Sequence, residues 1–266
     1  MKSNIKNEAS QVKIPSFQYQ NHIYGLSIQK FNNKFQINNP LIATSTISTN
    51  TNSFNIIYIN EDNSISQKGE VTNLSFPLSK ISFNEIDPQL IATSDINLSL
   101  YKIDFLIEDE VEMGLNCNYS TDKFKLDINK IALLSQDEEF NAPITSFDWN
   151  KTNKNLIITC SIDNTCSIWD VNSQQVISKL IAHDTEVYDV SFLDGENIFV
   201  SVGGDGELRL FDLRDLDNSQ IVFDSKDGSG LVRLSVSPYD KNYILTLSNN
   251  KPYFYLIDMR ELSSPV

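Results

Sequence analysis

Short apolar runs recur along the chain, each broken by a polar turn and answered by a second apolar run. The clearest pair is 156–170, LIITCSIDNTCSIWD, and 198–212, IFVSVGGDGELRLFD. Aligned, they set Trp169 on Phe211, 42 residues on, with Asp163 on Asp205 and Asp170 on Asp212. Two earlier runs both read LIATS, at 41–45 leading to Tyr58 and at 90–94 leading to Tyr101, with 43 residues between the tyrosines. A fifth, YILTL at 243–247, leads to Ile257-Asp258, 46 residues after Asp212. Val, Ile, Phe, Tyr and Thr dominate these runs, and apolar and polar positions alternate in Ser167-Ile168-Trp169 and Leu208-Arg209-Leu210-Phe211. That is the strand period, not the helical one. Asp163-Asn164 and Asp205-Gly206 supply residues suited to tight hairpins. A repeat of about 40–45 residues ending in aromatic-Asp predicts an all-β propeller of four-stranded antiparallel blades. An unrelated β-sandwich shares the short strands but leaves the repeated aromatic-Asp unexplained.

The predicted organisation is a polar tail at 1–19 and propeller blades across 20–266. The blades are expected at 22–60, 76–105, 142–180, 182–216 and 230–262, with an acidic insertion at 106–139. For the best-defined unit the strands are expected at 144–149, 155–160, 165–170 and 175–180. The insertion carries Glu108-Asp109-Glu110 and Asp137-Glu138-Glu139. It reads as a solvated loop or, alternatively, as an arm for a basic partner.

Composition narrows the function classes. The formal charge is −14, from 21 Lys and Arg against 35 Asp and Glu, and no basic patch offsets it. Phosphates are repelled by such a surface, so direct nucleic-acid or anionic-membrane binding is not expected. No run approaches the roughly 20 apolar residues of a membrane span, and residues 1–10 lack the apolar core of a signal peptide. Three cysteines make no disulfide framework, and the expectation is an intracellular protein with reduced thiols. There are only two histidines, His22 and His183, and no CxxC, HExxH or GxxxxGK[ST] motif. Gly203-Gly204-Asp205-Gly206 opens no helix, so it is not read as a phosphate cradle. No catalytic residue, metal ligand or cofactor is expected.

Cys160 and Cys166 flank one hairpin turn, where they would face each other as small buried thiols. Trp149 reads either as core or as an aromatic on the propeller rim. Asp184, Glu186 and Tyr188 enter the fourth unit together, and strand alternation puts Glu186 and Tyr188 on one side. Two carboxylates beside an aromatic suit an Arg- or Lys-bearing peptide, the alternative being a core Tyr188 with solvated acids.

Beyond the repeat, particular strings resemble one family. They are APITSFDWN at 142–150, SIDNTCSIW at 161–169, LIAHDTEVYDV at 180–190, and SVGGDG at 201–206 with FDLR at 211–214. They are similar to the WD40-repeat scaffold family that includes the plant TRANSPARENT TESTA GLABRA protein and its animal DYRK-kinase-binding, cullin-4-associated counterpart. The resemblance is strong over about 140–266 and weaker but collinear over 20–105. It implies a seven-bladed propeller, of which five units would be an incomplete ring: a fragment, a short form or an open arc. It also implies a structural polar network, with His183 bonding Ser201 and Asp205 and ending there because Phe211 has no N–H. The preceding unit keeps Thr159, Asp163 and Trp169 but has Phe140 at the His position. Phe211-Asp212-Leu213-Arg214 and Ile257-Asp258-Met259-Arg260 resemble the endings through which WD proteins dock on cullin-4 ligase adaptors, marking Arg214 and Arg260. The implied function is a non-enzymatic scaffold for protein kinases or transcription regulators in nucleus and cytoplasm, or alternatively a ubiquitin-ligase substrate receptor.

Overall fold

The computed structural model describes residues 22–29, 39–47, 51–107, 124–135, 142–193 and 195–261. Every regular element among them is a strand. Blade 1 is formed by β1 (His22–Ile28), β2 (Leu41–Ile47), β3 (Asn52–Ile59) and β4 (Ile65–Leu74). Blade 2 contains β5 (Lys80–Phe83), β6 (Leu90–Ser94), β7 (Leu98–Ile107) and β8 (Phe124–Leu134). Blade 3 contains β9 (Ile144–Trp149), β10 (Leu156–Ser161), β11 (Thr165–Asp170) and β12 (Gln175–Ile181). Blade 4 follows with β13 (Val187–Phe192), β14 (Ile198–Gly203), β15 (Glu207–Asp212) and β16 (Asp215–Asp224). Blade 5 has three strands, β17 (Leu231–Val236), β18 (Tyr243–Ser248) and β19 (Phe254–Asp258). Each sheet is an antiparallel meander in chain order. The expected all-β architecture of consecutive blades is therefore the observed one, and the blade 3 strands lie within one residue of their expected bounds.

Three boundaries differ from the sequence reading, the fourth unit running past 216 because its outer strand β16 continues to Asp224. The first unit runs past 60, because β4 supplies its outer strand. The second runs past 105, because β8 lies inside 106–139 and pairs with β7 from Leu98↔Leu134 to Ile107↔Phe124. Between the acidic runs, FKLDINKIALL alternates buried and exposed positions at its two ends, as a strand does. The acidic residues 108–110 and 137–139, the tail 1–19 and Phe140 lie outside the described residues.

Turn chemistry explains where the strands stop. Asn164 and Gly206 occupy the same turn position in blades 3 and 4 with φ of 68° and 82°. That region is open to Gly and tolerated by Asn. The repeated terminal Asp also acquires a reason. Asp170, Asp212 and Asp258 each accept a bond from the backbone N–H two residues on, at 2.9, 3.0 and 3.0 Å. This side-chain turn releases the chain from the third strand.

The core is a series of layers between adjacent blades. Phe54, Ile56, Tyr58, Ile91 and Tyr101 fill the layer between blades 1 and 2. Phe147, Trp149, Ile157 and Trp169 lie with Leu98 and Leu100 between blades 2 and 3. Cys160, Cys166 and Ile168 meet Val190, Phe192, Phe199 and Phe211 between blades 3 and 4. Val200, Val202 and Leu208 meet Leu231, Ile244 and Ile257 between blades 4 and 5. The first strands stand side by side in the order β1, β5, β9, β13, β17. A repeat that buries its apolar face only on its neighbours gains most of its stability from these junctions.

Candidate partner-binding surface

Polar clips that the sequence reading did not find hold the junctions. The residue directly after the first strand of blades 1, 2 and 3 is Gln29, Asn84 and Asn150, each buried. Each donates its side-chain N–H to a carbonyl of the next blade: Gln29 to Pro88 at 2.7 Å, Asn84 to Lys154 at 3.1 Å and Asn150 to Glu196 at 2.9 Å. The Asn150 carbonyl oxygen also accepts the Thr152 and Asn153 amides at 3.0 and 2.9 Å, so one side chain shapes its own turn and grips its neighbour. The available signal was the aromatic-Asn step in Phe83-Asn84 and Trp149-Asn150. Two buried or half-buried acids do the same lower down. Asp148 accepts Ser191 Oγ–H at 2.9 Å and the Phe192 N–H at 3.0 Å. Asp189 accepts Ser146 Oγ–H at 2.6 Å and the Leu234 N–H at 3.0 Å.

His183 is fully buried between blade 4 and the chain entering it. Its Nε2 lies 2.8 Å from Ser201 Oγ, and its Nδ1 lies 3.0 Å from both Asp205 carboxylate oxygens. The carboxylate fixes the proton on Nδ1, which leaves Nε2 to accept the serine O–H. The network then runs on through Arg209, a residue the sequence reading passed over. Its guanidinium donates to the Ala182 carbonyl at 3.1 Å, pairs with Glu207, and lies 3.6 Å from both Asp184 and Asp205. Burial raises the Asp205 carboxyl, but the hydrogen bond from His183 and those from the Glu207 and Asp184 amides outweigh it, leaving it below its ordinary value. Gly203 is required here by space: a Cβ would sit 2.8 Å from the imidazole.

Blade 3 is built differently at the same positions. Trp169 Nε1–H donates to Thr159 Oγ1 at 2.9 Å inside the core. Asp163 stands apart from that pair, accepting Thr165 Oγ1–H at 2.6 Å and facing Lys179 at 3.3 Å. A cavity of about 30 Å³ is lined by Thr159, Ser161, Asp163, Ser167 and Trp169, the first three of which occupy the positions of Ser201, Gly203 and Asp205 that meet the His183 ring in blade 4.

Cys160 and Cys166 are direct cross-strand partners, both free and both buried. Burial, with the Asp189 charge, pushes the Cys160 thiol up to about 12, and burial also raises Cys166. Neither is a nucleophile at neutral pH. Among the described residues, no three His, Cys, Asp or Glu side chains converge to hold a metal. A cavity of about 530 Å³ opens beside the first strands, and its charged lining includes Lys80, Glu85 and Lys151. Lys80 lies 3.8 Å from Asp189, and Lys151 lies 3.1 and 3.5 Å from Asp148 and Glu85.

Trp149 is not on the rim. It is 1% exposed, packs between blades 2 and 3, and donates its indole N–H to the Ser82 carbonyl at 3.3 Å. Strand register places it there, away from any partner: alternation along β9 turns Phe147 and Trp149 to the same buried layer. Arg214 is exposed and held by Asp212, with Nε 2.9 Å from Oδ1. Arg260 is held likewise by Asp258 at 2.8 Å, and also lies against Tyr243. These bonds hold the Asp212 and Asp258 carboxyls down at about 2.

Glu186 and Tyr188 lie side by side at the entrance to blade 4, while the Asp184 carboxylate two residues earlier faces Arg209 at 3.6 Å. Asp184 and Glu186 are exposed and Tyr188 is half-buried. A Cβ on Gly204 would meet Glu186 Oε2 at 3.3 Å and the Tyr188 ring at 3.4 Å, so the acid and the aromatic share one side above this glycine. Arg233 of blade 5 borders them, donating to the Tyr188 carbonyl at 3.3 Å.

Consecutive four-stranded antiparallel blades with this turn and His–Ser–Asp chemistry define a WD40-repeat propeller protein. The model of the WD domain, G-beta repeat, matches residues 134–170, from the end of β8 through β11, and 174–212, which hold β12 through β15, so each match is offset from a blade by one strand. The chain is 35% identical over 249 residues to the DDB1- and CUL4-associated factor 7 homolog of Dictyostelium discoideum, covering 91% of this chain and 70% of that protein. It belongs to that protein's WD40-repeat family. It is also 38% identical to the WD repeat-containing protein C17D11.08 of Schizosaccharomyces pombe over 71% of this chain. Against YPL247C of Saccharomyces cerevisiae the identity is 34% over 72%. The chain spans 46% and 40% of those two yeast proteins.

Proposed function

We propose that this chain is a non-enzymatic scaffold that gathers protein partners, with kinases and transcription regulators as the expected classes, in nucleus and cytoplasm. The observation that carries this reading is Glu186 beside the Tyr188 ring at a strand entrance, with the exposed Asp184 two residues before. Rigid elements present contact groups at little ordering cost on binding. The group offers two carboxylates and a ring face to an Arg- or Lys-bearing segment. The −14 charge would speed encounter with basic partners.

The test is affinity capture with mass spectrometry from the native cell, comparing the natural chain with Asp184→Lys/Glu186→Lys. Partner recovery should fall and lose part of its salt sensitivity, while the melting temperature stays within about 1–2 °C, since both acids are exposed. Recovery of every partner by the double variant would refute this choice of surface. Immunofluorescence of the natural chain tests the compartment, and exclusion from the nucleus would remove transcription regulators from the reading.

A second reading, attachment to a cullin-4 ligase adaptor, is favoured by the name of the Dictyostelium relative and by the exposed Arg214 and Arg260. In it each arginine, ordered by its own Asp, offers remaining N–H donors to a carboxylate or carbonyl. Adaptor subunits in the eluate that disappear with Arg214→Ala/Arg260→Ala would favour it over the first.

A further inference from the structure

Blade 3 sets two thiols directly opposite each other at a place where packing needs none. In the other blades the position of Cys160–Cys166 holds Ser45–Phe54, Ser94–Leu98, Val202–Leu208 and Leu247–Phe254. The third strand carries Phe or Leu there in each of them, and Cys166 in blade 3. Both cysteines are free and buried in the layer between blades 3 and 4. Val190, Phe192 and Phe199 of blade 4 pack into the same layer.

The backbone pattern fixes what kind of pair this is. Val171 N–H donates to the Asn155 carbonyl at 2.8 Å, and the register of β10 with β11 runs unbroken from Leu156↔Asp170 to Cys160↔Cys166. Antiparallel alternation then makes Ile157–Trp169 and Thr159–Ser167 the hydrogen-bonded pairs and leaves Cys160–Cys166 a non-hydrogen-bonded one. Partners of that kind have Cα atoms about 4.5 Å apart and the closer Cβ atoms, at about 4.5 Å. A disulfide needs about 4.4–6.8 Å between Cα atoms and about 3.5–4.5 Å between Cβ atoms. The pair therefore stands at bridging distance with the sheet as it is. Cys160 Sγ lies 3.2 Å from Thr145 Oγ1 and donates to the Ser146 carbonyl at 3.5 Å, so the reduced thiol leans toward β9. Rotation about its χ1 swings it toward Cys166.

We infer that Cys160 and Cys166 are a reversible redox pair, closing to a disulfide across β10 and β11 by exchange with a soluble disulfide such as oxidised glutathione. One thiolate attacks a sulfur of the soluble disulfide and releases half of it. The facing thiolate attacks the mixed disulfide at the protein sulfur and releases the other half. Two protein S–H bonds and one S–S bond are lost, one protein S–S bond forms, and two electrons pass to the soluble compound, which leaves as two thiols. Burial sets when this happens. Exchange needs a thiolate, and the packed layer holds both groups as thiols, so closure proceeds through opening of the blade 3–blade 4 junction. Once the layer repacks, the disulfide is sealed from reductant. The pair thus records an opening of this junction under oxidising conditions and braces the hairpin afterwards. The turn of that hairpin reaches the entrance to blade 4 through Asn164, which donates to the Asp184 carbonyl at 3.1 Å. This role requires no partner and stands apart from the binding surface proposed above.

The full chain carrying Cys117→Ser, which leaves only this pair of cysteines, provides the test. It is brought to equilibrium with mixtures of oxidised and reduced glutathione at mildly alkaline pH, folded in low urea and unfolded in high urea, then quenched in acid and mapped by peptide mass. The expected product is a Cys160–Cys166 disulfide, lighter than the reduced peptide by two hydrogens. Its equilibrium constant should be about tenfold or more greater in the folded chain, because paired strands hold the sulfurs closer than a free loop does. By linkage, closure should favour the folded state by the same factor, read as a higher urea midpoint for the oxidised chain. The rate of closure should rise as urea below the midpoint opens the junction. A constant equal to or below that of the unfolded chain would overturn the inference, since the bridge would then strain the sheet. So would glutathione adducts that accumulate on either cysteine without closing, disulfides that link two chains, or no closure in the folded chain at any urea concentration below the midpoint. If Cys117→Ser fails to fold, mapping of the natural chain decides instead, and a bridge from Cys117 in place of Cys160–Cys166 overturns the inference there.

Discussion

Replacing His183 by Ala removes a fully buried imidazole that holds Ser201 at 2.8 Å and Asp205 at 3.0 Å. The serine bond is neutral and contributes about 1 kcal/mol, and the bond to the carboxylate about 1.5–3 kcal/mol. Asp205 is not left wholly alone, because the Asp184 and Glu207 amides remain at 3.2 Å and Arg209 at 3.6 Å. The expected loss is therefore about 2–4 kcal/mol, including the space left by the ring. The same geometry supplies a sharper test. Gly203→Ala alone should cost about 1–3 kcal/mol, because its methyl would sit 2.8 Å from the imidazole in a packed core. In the His183→Ala background that obstacle is gone, and only the Asp205 oxygen at 3.0 Å must give way. The alanine also reduces the freedom of the unfolded chain. The double variant should then be about 1–2 kcal/mol more stable than the two single losses predict. Urea unfolding followed by the fluorescence of Trp149 and Trp169, both buried, measures all four corners of the cycle. Additive losses would refute the steric argument, and an unchanged midpoint for His183→Ala would refute the network's structural role.

Asn150→Ala should cost about 1–3 kcal/mol by removing both the turn bonds and the clip to Glu196, and Asn150→Asp should restore the turn but not the clip. Hydrogen exchange should then locate the weakening at the blade 3–blade 4 junction. Cys160 and Cys166 should resist iodoacetamide at neutral pH in the folded chain and react once urea unfolds it, read by peptide mass mapping. Rapid alkylation of either in the native state would show that the blade 3–blade 4 layer opens.

How much was legible in the sequence follows from which interactions are local. The strands of blades 3 and 4, their turns and the aromatic-Asp endings depend on residues a few positions apart. Alternation, Asn164, Gly206 and the Asp turn acceptors are therefore written in contiguous stretches. The His183–Ser201–Asp205 set spans only 22 residues and was implied by the family resemblance, so it too was within reach. The outer strand β8 was not, because its pairing with β7 bridges a long acidic connection and its own alternation is modest. The tertiary structure alone decided that Trp149 belongs to the layer between blades 2 and 3, since either side of an inner strand can face a neighbour. It alone revealed that Asn84 and Asn150 reach carbonyls 70 and 46 residues away, that Asp148 and Asp189 stitch neighbouring blades, and that Arg209 joins the histidine network. A sequence pattern records which face of a strand is apolar. Which carbonyl a side chain meets across a junction depends on the position of one blade against the next, and that is fixed only when the layers pack.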